Sequence, residues 1–102
     1  MSYSVTHRYG EMEAGVPSEH FVAILAELDE NDNEHPNVAL VDESGWALSA
    51  YQSGLLVWEH LDRRNPRHMK NVSREKILKL WKQLASGDHI SIEKEAWLPG
   101  YR

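Results

Sequence analysis

Six histidines in 102 residues (His7, His20, His35, His60, His68 and His89) are the residues most able to do chemistry here. Histidine titrates near neutrality and ligates metals, so acid–base catalysis or a metal centre is the first reading to test. The spacing argues against both. No two of them lie three or four apart on a predicted helix, and there is no His-Glu-x-x-His. Three follow a glutamate directly (Glu19-His20, Glu34-His35, Glu59-His60). Neighbours on a strand point to opposite faces and neighbours on a helix lie about 100° apart, so these dipeptides do not form dyads. A histidine–carboxylate pair has to be assembled from distant positions, with His60 or His68 as the candidate base.

Other catalytic patterns are missing as well. Ser44 lies in Asp42-Glu43-Ser44-Gly45, which lacks the first glycine of a nucleophile elbow and reads as a hairpin turn. There is no phosphate-binding glycine loop. The acidic run from Asp29 to Glu34 lacks the order of a calcium-binding loop. The chain has no cysteine, which removes thiolate nucleophiles, disulfides and thiolate zinc sites. The expectation is no catalytic residue, no metal and no cofactor.

Charge carries more information. The net charge is −5, but it is unevenly placed. Residues 1–62 contain twelve acids and a single base, Arg8, whereas residues 63–82 contain eight bases and one acid, Glu75. Such asymmetry marks either an interaction surface or two halves that neutralise each other in the fold. The acids cluster in the loop Asp29, Glu30, Asp32, Glu34 and in the turn Asp42, Glu43, beside Trp46. These seven residues are the candidate partner-binding set. The basic stretch could contact nucleic acid, but an acidic domain with a sequence pI near 5.6 is unlike typical nucleic-acid binders. No apolar run approaches the ~20 residues of a membrane span, and the first residues lack a secretory apolar core, so a cytoplasmic location is expected.

The elements that must position these residues follow from periodicity. Tyr3, Val5, His7 and Tyr9 alternate with polar residues as a half-buried strand does. Pro17 or Ser18 opens a helix whose Phe21, Ile24, Leu25 and Leu28 form one apolar face. Val38–Val41, Trp46–Tyr51 and Leu55–His60 read as strands separated by glycine turns, short enough to force antiparallel pairing. The segment His68–Lys70 reads as a brief further strand. Ser73 caps a second helix with Ile77, Leu80, Trp81 and Leu84 on its buried stripe and Gly87 beyond its end. The tail carries Trp97, Leu98 and Tyr101 and is expected to dock. At least one of Trp46 and Trp58 is expected on the uncovered face of the sheet. The fold class is therefore α+β: one domain, residues 1–102, with an antiparallel sheet of about four strands and two helices on one face.

Two segments together resemble a known group. They are Ser44-Gly45-Trp46-Ala47-Leu48 leading to Gly54-Leu55-Leu56-Val57-Trp58-Glu59, and Val72-Ser73-Arg74-Glu75-Lys76-Ile77-Leu78 leading to Ala85-Ser86-Gly87-Asp88. The second is similar to the closing helix, glycine stop and Trp-containing tail of small immunity proteins of bacterial polymorphic toxin systems. The resemblance covers the last 60 residues or so. It implies a cytoplasmic α+β protein without catalysis that occludes a cognate toxin. Three readings follow. The first is a protein-binding module whose acidic surface meets a basic toxin domain. The others are a small enzyme built on a histidine–carboxylate pair, and a homodimer formed through the open face of the sheet. No nucleic-acid or membrane partner is expected.

Overall fold

In a computed structural model that describes residues 2–102, the chain forms one antiparallel sheet with all its helices on one side. The strands are β1 (Tyr3–Thr6), β2 (Met12–Ala14), β3 (Asn37–Asp42), β4 (Trp46–Tyr51), β5 (Leu56–His60), β6 (Arg67–Met69) and β7 (Leu98–Pro99). Their order across the sheet is β2-β1-β3-β4-β5-β6-β7. The helices are α1 (Phe21–Ala26), extended at both ends by 3-10 turns, α2 (Arg74–Ala85) and α3 (His89–Glu93).

The α+β class and the antiparallel sheet agree with the sequence pattern, but the strand count does not. Seven strands form instead of about four, and three helices instead of two. The additional strands β2 and β7 hold three and two residues. That is too short for period-two alternation to show, and they exist because an adjacent strand offers hydrogen bonds. The third helix is five residues long and begins where the side chain of Asp88 accepts a hydrogen bond from the Ser91 amide. That cap was legible, but a single turn has no apolar periodicity of its own.

The central strands set the two faces. Register places Val5 opposite Leu40, Leu40 opposite Leu48, and Leu48 opposite Trp58. These residues, with Val38, Ala50 and Leu56, pack against Phe21, Ile24 and Leu25 of α1 and Ile77, Leu80, Trp81 and Leu84 of α2. Ile92 of α3 completes the core. Each fully buried large side chain contributes roughly 1.5–3 kcal/mol of transfer free energy, so this layer carries most of the driving force. Trp46 and Trp58 have the same parity as Leu48, so both face the helices and stack with ring centroids 4.5 Å apart. The expectation that one would reach the open face is thus corrected. The open face carries Ser4, Thr6, Ala39, Ala47, Ser49 and Val57, with Tyr51, Glu59 and His68 beside them.

The tail docks, as its aromatic content suggested. Its β7 pairs with β6, Trp97 Nε1 donates to the Ile92 carbonyl, and the Tyr101 hydroxyl donates to Glu59 across the open face.

Candidate functional site

Strand β3 separates the seven candidate residues. The acidic loop enters β3 at Asn37, and the turn leaves it at Asp42. Five residue steps of about 3.4 Å put the two groups some 17 Å apart, at opposite ends of the sheet. They are two sites, not one patch.

At the loop end the organising residue is Arg8, the only base of the first 62 residues, which is 5% exposed. Its guanidinium has five N–H donors, and all five find neutral acceptors. Nε donates to the His35 carbonyl at 2.6 Å, and Nη1 donates to the carbonyls of Glu27 and Glu30. Nη2 reaches the Asp32 carbonyl at 3.5 Å and Gln52 Oε1 at 2.5 Å. Gln52 continues the lattice by accepting from the Asp32 amide and donating to the side chains of Asn31 and Asn33. Backbone carbonyls are thereby gathered inward, and the carboxylates of the loop are left outside.

His7 stands beside this centre with a carboxylate at each ring nitrogen: Glu27 at 2.8 Å from Nδ1 and Glu13 at 2.9 Å from Nε2. Burial disfavours the charged ring, but the hydrogen bonds to Glu13 and Glu27 outweigh it and hold the pKa above the ordinary 6.5. Both nitrogens then donate, and His7 ties β2 to the end of α1. A cleft of about 480 Å³ opens here, lined by His7, Tyr9, Glu11, Ala26, Glu27 and Glu30. Tyr9 is exposed at its rim and rests on the His35 ring at 4.8 Å. The side chains of Glu11, Glu30 and Glu34 are exposed and form no ion pair among the described residues.

The other end is built around an anion. Asp42 is 7% exposed and its Oδ1 accepts from the Ser44 amide, the Ser44 hydroxyl and the Trp46 amide, closing the β3–β4 turn. Its Oδ2 lies 2.6 Å from His89 Nε2. The ring of Trp46 sits edge-on to both His60 and His89. His60 Nε2 donates to the Ser44 carbonyl at 2.7 Å, and its Nδ1 accepts from the amides of Asp62 and Arg63. Behind this cluster Trp58 Nε1 donates to Glu93, which Arg67 grips with both Nη atoms. The Arg67 bonds draw the Glu93 pKa below its ordinary value against the cost of burial, with help from Trp58.

The remaining candidates divide accordingly. Asp29 is exposed and pairs with Arg74 of α2 at 3.0 Å, and Asp32 holds the Glu34 amide and the His35 ring. Glu43 is exposed in the turn. Asp42 is consumed inside the fold, and Trp46 is half-buried against Trp58. Part of the basic stretch is likewise used internally, through Arg67–Glu93, Arg74–Asp29 and Lys76–Glu95.

Histidine–carboxylate pairs do assemble from distant positions, but through His7 and His89 rather than His60 or His68. His60 and His68 bond to backbone carbonyls, His68 to that of Gly100 at 2.9 Å. Asp42 of the His89–Asp42 pair lines a shallow cleft of about 230 Å³ with Ser2, Tyr3, Ser4, Ala14, Val41 and Glu43, to which His89 does not contribute. His7 does line a cleft, yet both of its nitrogens are engaged, so no free lone pair faces a substrate. Among the described residues no three His, Asp or Glu side chains converge as a metal site. Sequence reasoning missed Glu11, Glu13, Glu27 and Tyr9. The one available signal was Arg8: a lone base amid twelve acids is a plausible structural counter-charge, and its neighbours mark the site.

Comparison with protein-family models, with curated proteins and with solved structures finds no match for this chain. Among the described residues no helix is long and apolar enough to cross a membrane.

Proposed function

We propose that this chain is a non-catalytic protein-binding module that receives a basic partner on the loop end of its sheet. One observation carries this reading: Arg8 is buried and saturated by carbonyls and Arg74 is taken up by Asp29, so Glu11 and Glu30 on the cleft, and Glu34 in the loop, face solvent without an ion pair among the described residues, beside an exposed tyrosine. Complementary charge steers encounter and selects partners, and a loop already held in place loses little entropy on binding. Aromatic side chains such as Tyr9 commonly anchor such contacts. Taken with the resemblance of the C-terminal segments, the most concrete form is an immunity protein that occludes a basic toxin domain in the cytoplasm. Asp42 and Trp46 act in this reading as supports of the distal turn, not as contacts.

The test is capture of the partner from the native host, followed by triple charge reversal (Glu11→Lys, Glu30→Lys, Glu34→Lys). All three side chains are exposed and unpaired, so the fold should tolerate the change. Association should slow by about tenfold or more at low salt and converge with the unaltered chain at high salt. Equal association rates at low salt would sink the proposal. The enzymatic reading keeps one supporting observation, the His7–Glu27 pair inside the cleft, and predicts loss of a turnover in His7→Gln with partner capture unchanged.

A further inference from the structure

The cleft adjoins a free sheet edge, and the two together define what shape of partner fits. Strand β2 is the outermost strand on that side, and all three of its residues are exposed. In an antiparallel pair, opposite residues alternate between exchanging both backbone hydrogen bonds and exchanging none. The Gly15 amide donates to the Tyr3 carbonyl and the His7 amide to the Glu11 carbonyl. With Val5 opposite Glu13 and Thr6 opposite Met12, the bonded pairs are therefore Tyr3/Gly15, Val5/Glu13 and His7/Glu11. Met12 and Ala14 consequently direct their N–H and C=O groups away from β1. No other backbone or side-chain bond claims them among the described residues.

Natural edges are commonly blunted by short length, by charged side chains, by proline or by a bulge. The opposite edge, β7, is two residues long and contains Pro99. Strand β2 is also short, at three residues, but has neither lysine nor proline, and its one charge, Glu13, is negative. Glu13 lies on the helix-side face, where its carboxylate meets His7, and Glu11 lines the cleft on that side. Met12 and Ala14 occupy the open-face side, with Met12 68% exposed.

We infer that β2 accepts an extended segment of the basic partner as an eighth strand, with Lys or Arg at alternate positions facing Glu11, Glu13 and the cleft and apolar residues between them facing Met12 and Ala14. Strand addition draws its affinity from main-chain hydrogen bonds and its selectivity from alternate side chains, and this edge offers both. A second copy of the chain fits less well. Pairing β2 antiparallel with itself through Met12 and Ala14 sets Glu13 opposite the same carboxylate of the other copy, and like charges directly opposite destabilise a ladder. The inference rests on the acidic-cleft reading and narrows it to one binding mode.

The test uses the full chain and a synthetic peptide of about eight residues in which Lys alternates with Val, a length matched to one strand. Amide hydrogen exchange at Met12 and Ala14 is followed by NMR. Binding should slow exchange at both by about tenfold or more at saturation. The same peptide N-methylated on its pairing amides should not bind, and this control leaves the protein unaltered. Ala14→Pro, which removes one outward donor and no bond to β1, should weaken the peptide by about tenfold while the Thr6 and Val5 amides stay protected. If the N-methylated peptide, or a helical Lys-rich peptide, binds as well as the Lys/Val strand, the edge inference fails and the acidic surface survives. If no basic peptide binds, both fail. Concentration-dependent protection of Met12 and Ala14 without peptide assigns the edge to a second copy and also overturns the inference.

Discussion

The two ends of the sheet solve the same problem with opposite charges. At the loop end a buried cation, Arg8, collects carbonyls from Glu27, Glu30, Asp32 and His35, and the side chains of Glu30 and Glu34 are turned outward. At the turn end a buried anion, Asp42, collects the amides of Ser44 and Trp46 and the ring of His89, so the acid itself is consumed. Counting acids makes the ends look alike. Whether a buried ion takes up backbone or is itself the acid decides how much charge is left for a partner.

The strongest way to break this comparison is to remove the cation. Arg8→Leu leaves several inward carbonyls without donors, each a cost of about 1 kcal/mol or more. The chain should lose roughly 4 kcal/mol in urea unfolding, and the amides of residues 30–35 should lose exchange protection first. A loss under about 1 kcal/mol would show that the loop holds itself.

Removing the anion is the matching experiment. Asp42→Ala removes the acceptor of two amides and a hydroxyl and the buried partner of His89, for an expected loss of about 3 kcal/mol, whereas Asp42→Asn keeps an acceptor and should cost about half as much. Partner binding per folded molecule should be unchanged in both, because the proposed docking surface lies at the other end. A binding defect in folded Asp42→Asn would move the site.

A smaller effect separates the two histidine pairs. The His7 pKa is raised in the fold, so its stabilising contribution is complete below the unfolded value near 6.5 and disappears as pH rises through the higher folded value. Thermal unfolding of the native chain should therefore weaken across that window relative to His7→Gln, with the loss felt at the β2 edge. Parallel curves for the two proteins would remove His7 as a clamp.

The smallest effect on stability belongs to the residues proposed to meet the partner. Glu30→Lys and Glu34→Lys should each change unfolding free energy by no more than about 0.5 kcal/mol, since they are exposed and unpaired. Calorimetry that shows a larger cost would mean these side chains have internal work and are not free for a partner.

Helix α2 was legible almost to the residue, because Ser73 caps it, Val72 precedes the cap and Ile77, Leu80, Trp81 and Leu84 repeat over three turns. The central strands were legible because glycine turns bound them and alternation fixes their faces. Strands β2 and β7 and helix α3 were not. Each is too short to carry a period, and each forms on a surface supplied by residues far along the chain. The tryptophans show the limit of alternation. It placed Trp46 and Trp58 on a common face only once register was known, and register depends on pairing.

Charge divides along the same boundary. By itself the sequence determined that the chain is acidic, that its first 62 residues hold a single base, and that two short segments concentrate the acids. Only the tertiary structure decided which acids remain available. Asp29 meets Arg74 and Asp42 meets His89 across 45 and 47 residues. Glu27 meets His7 across 20. Local sequence fixes what a residue can donate or accept, but which partner arrives is set by the packing of the helix layer on the sheet, because electrostatic contact needs proximity and proximity here is created by burial of the apolar core.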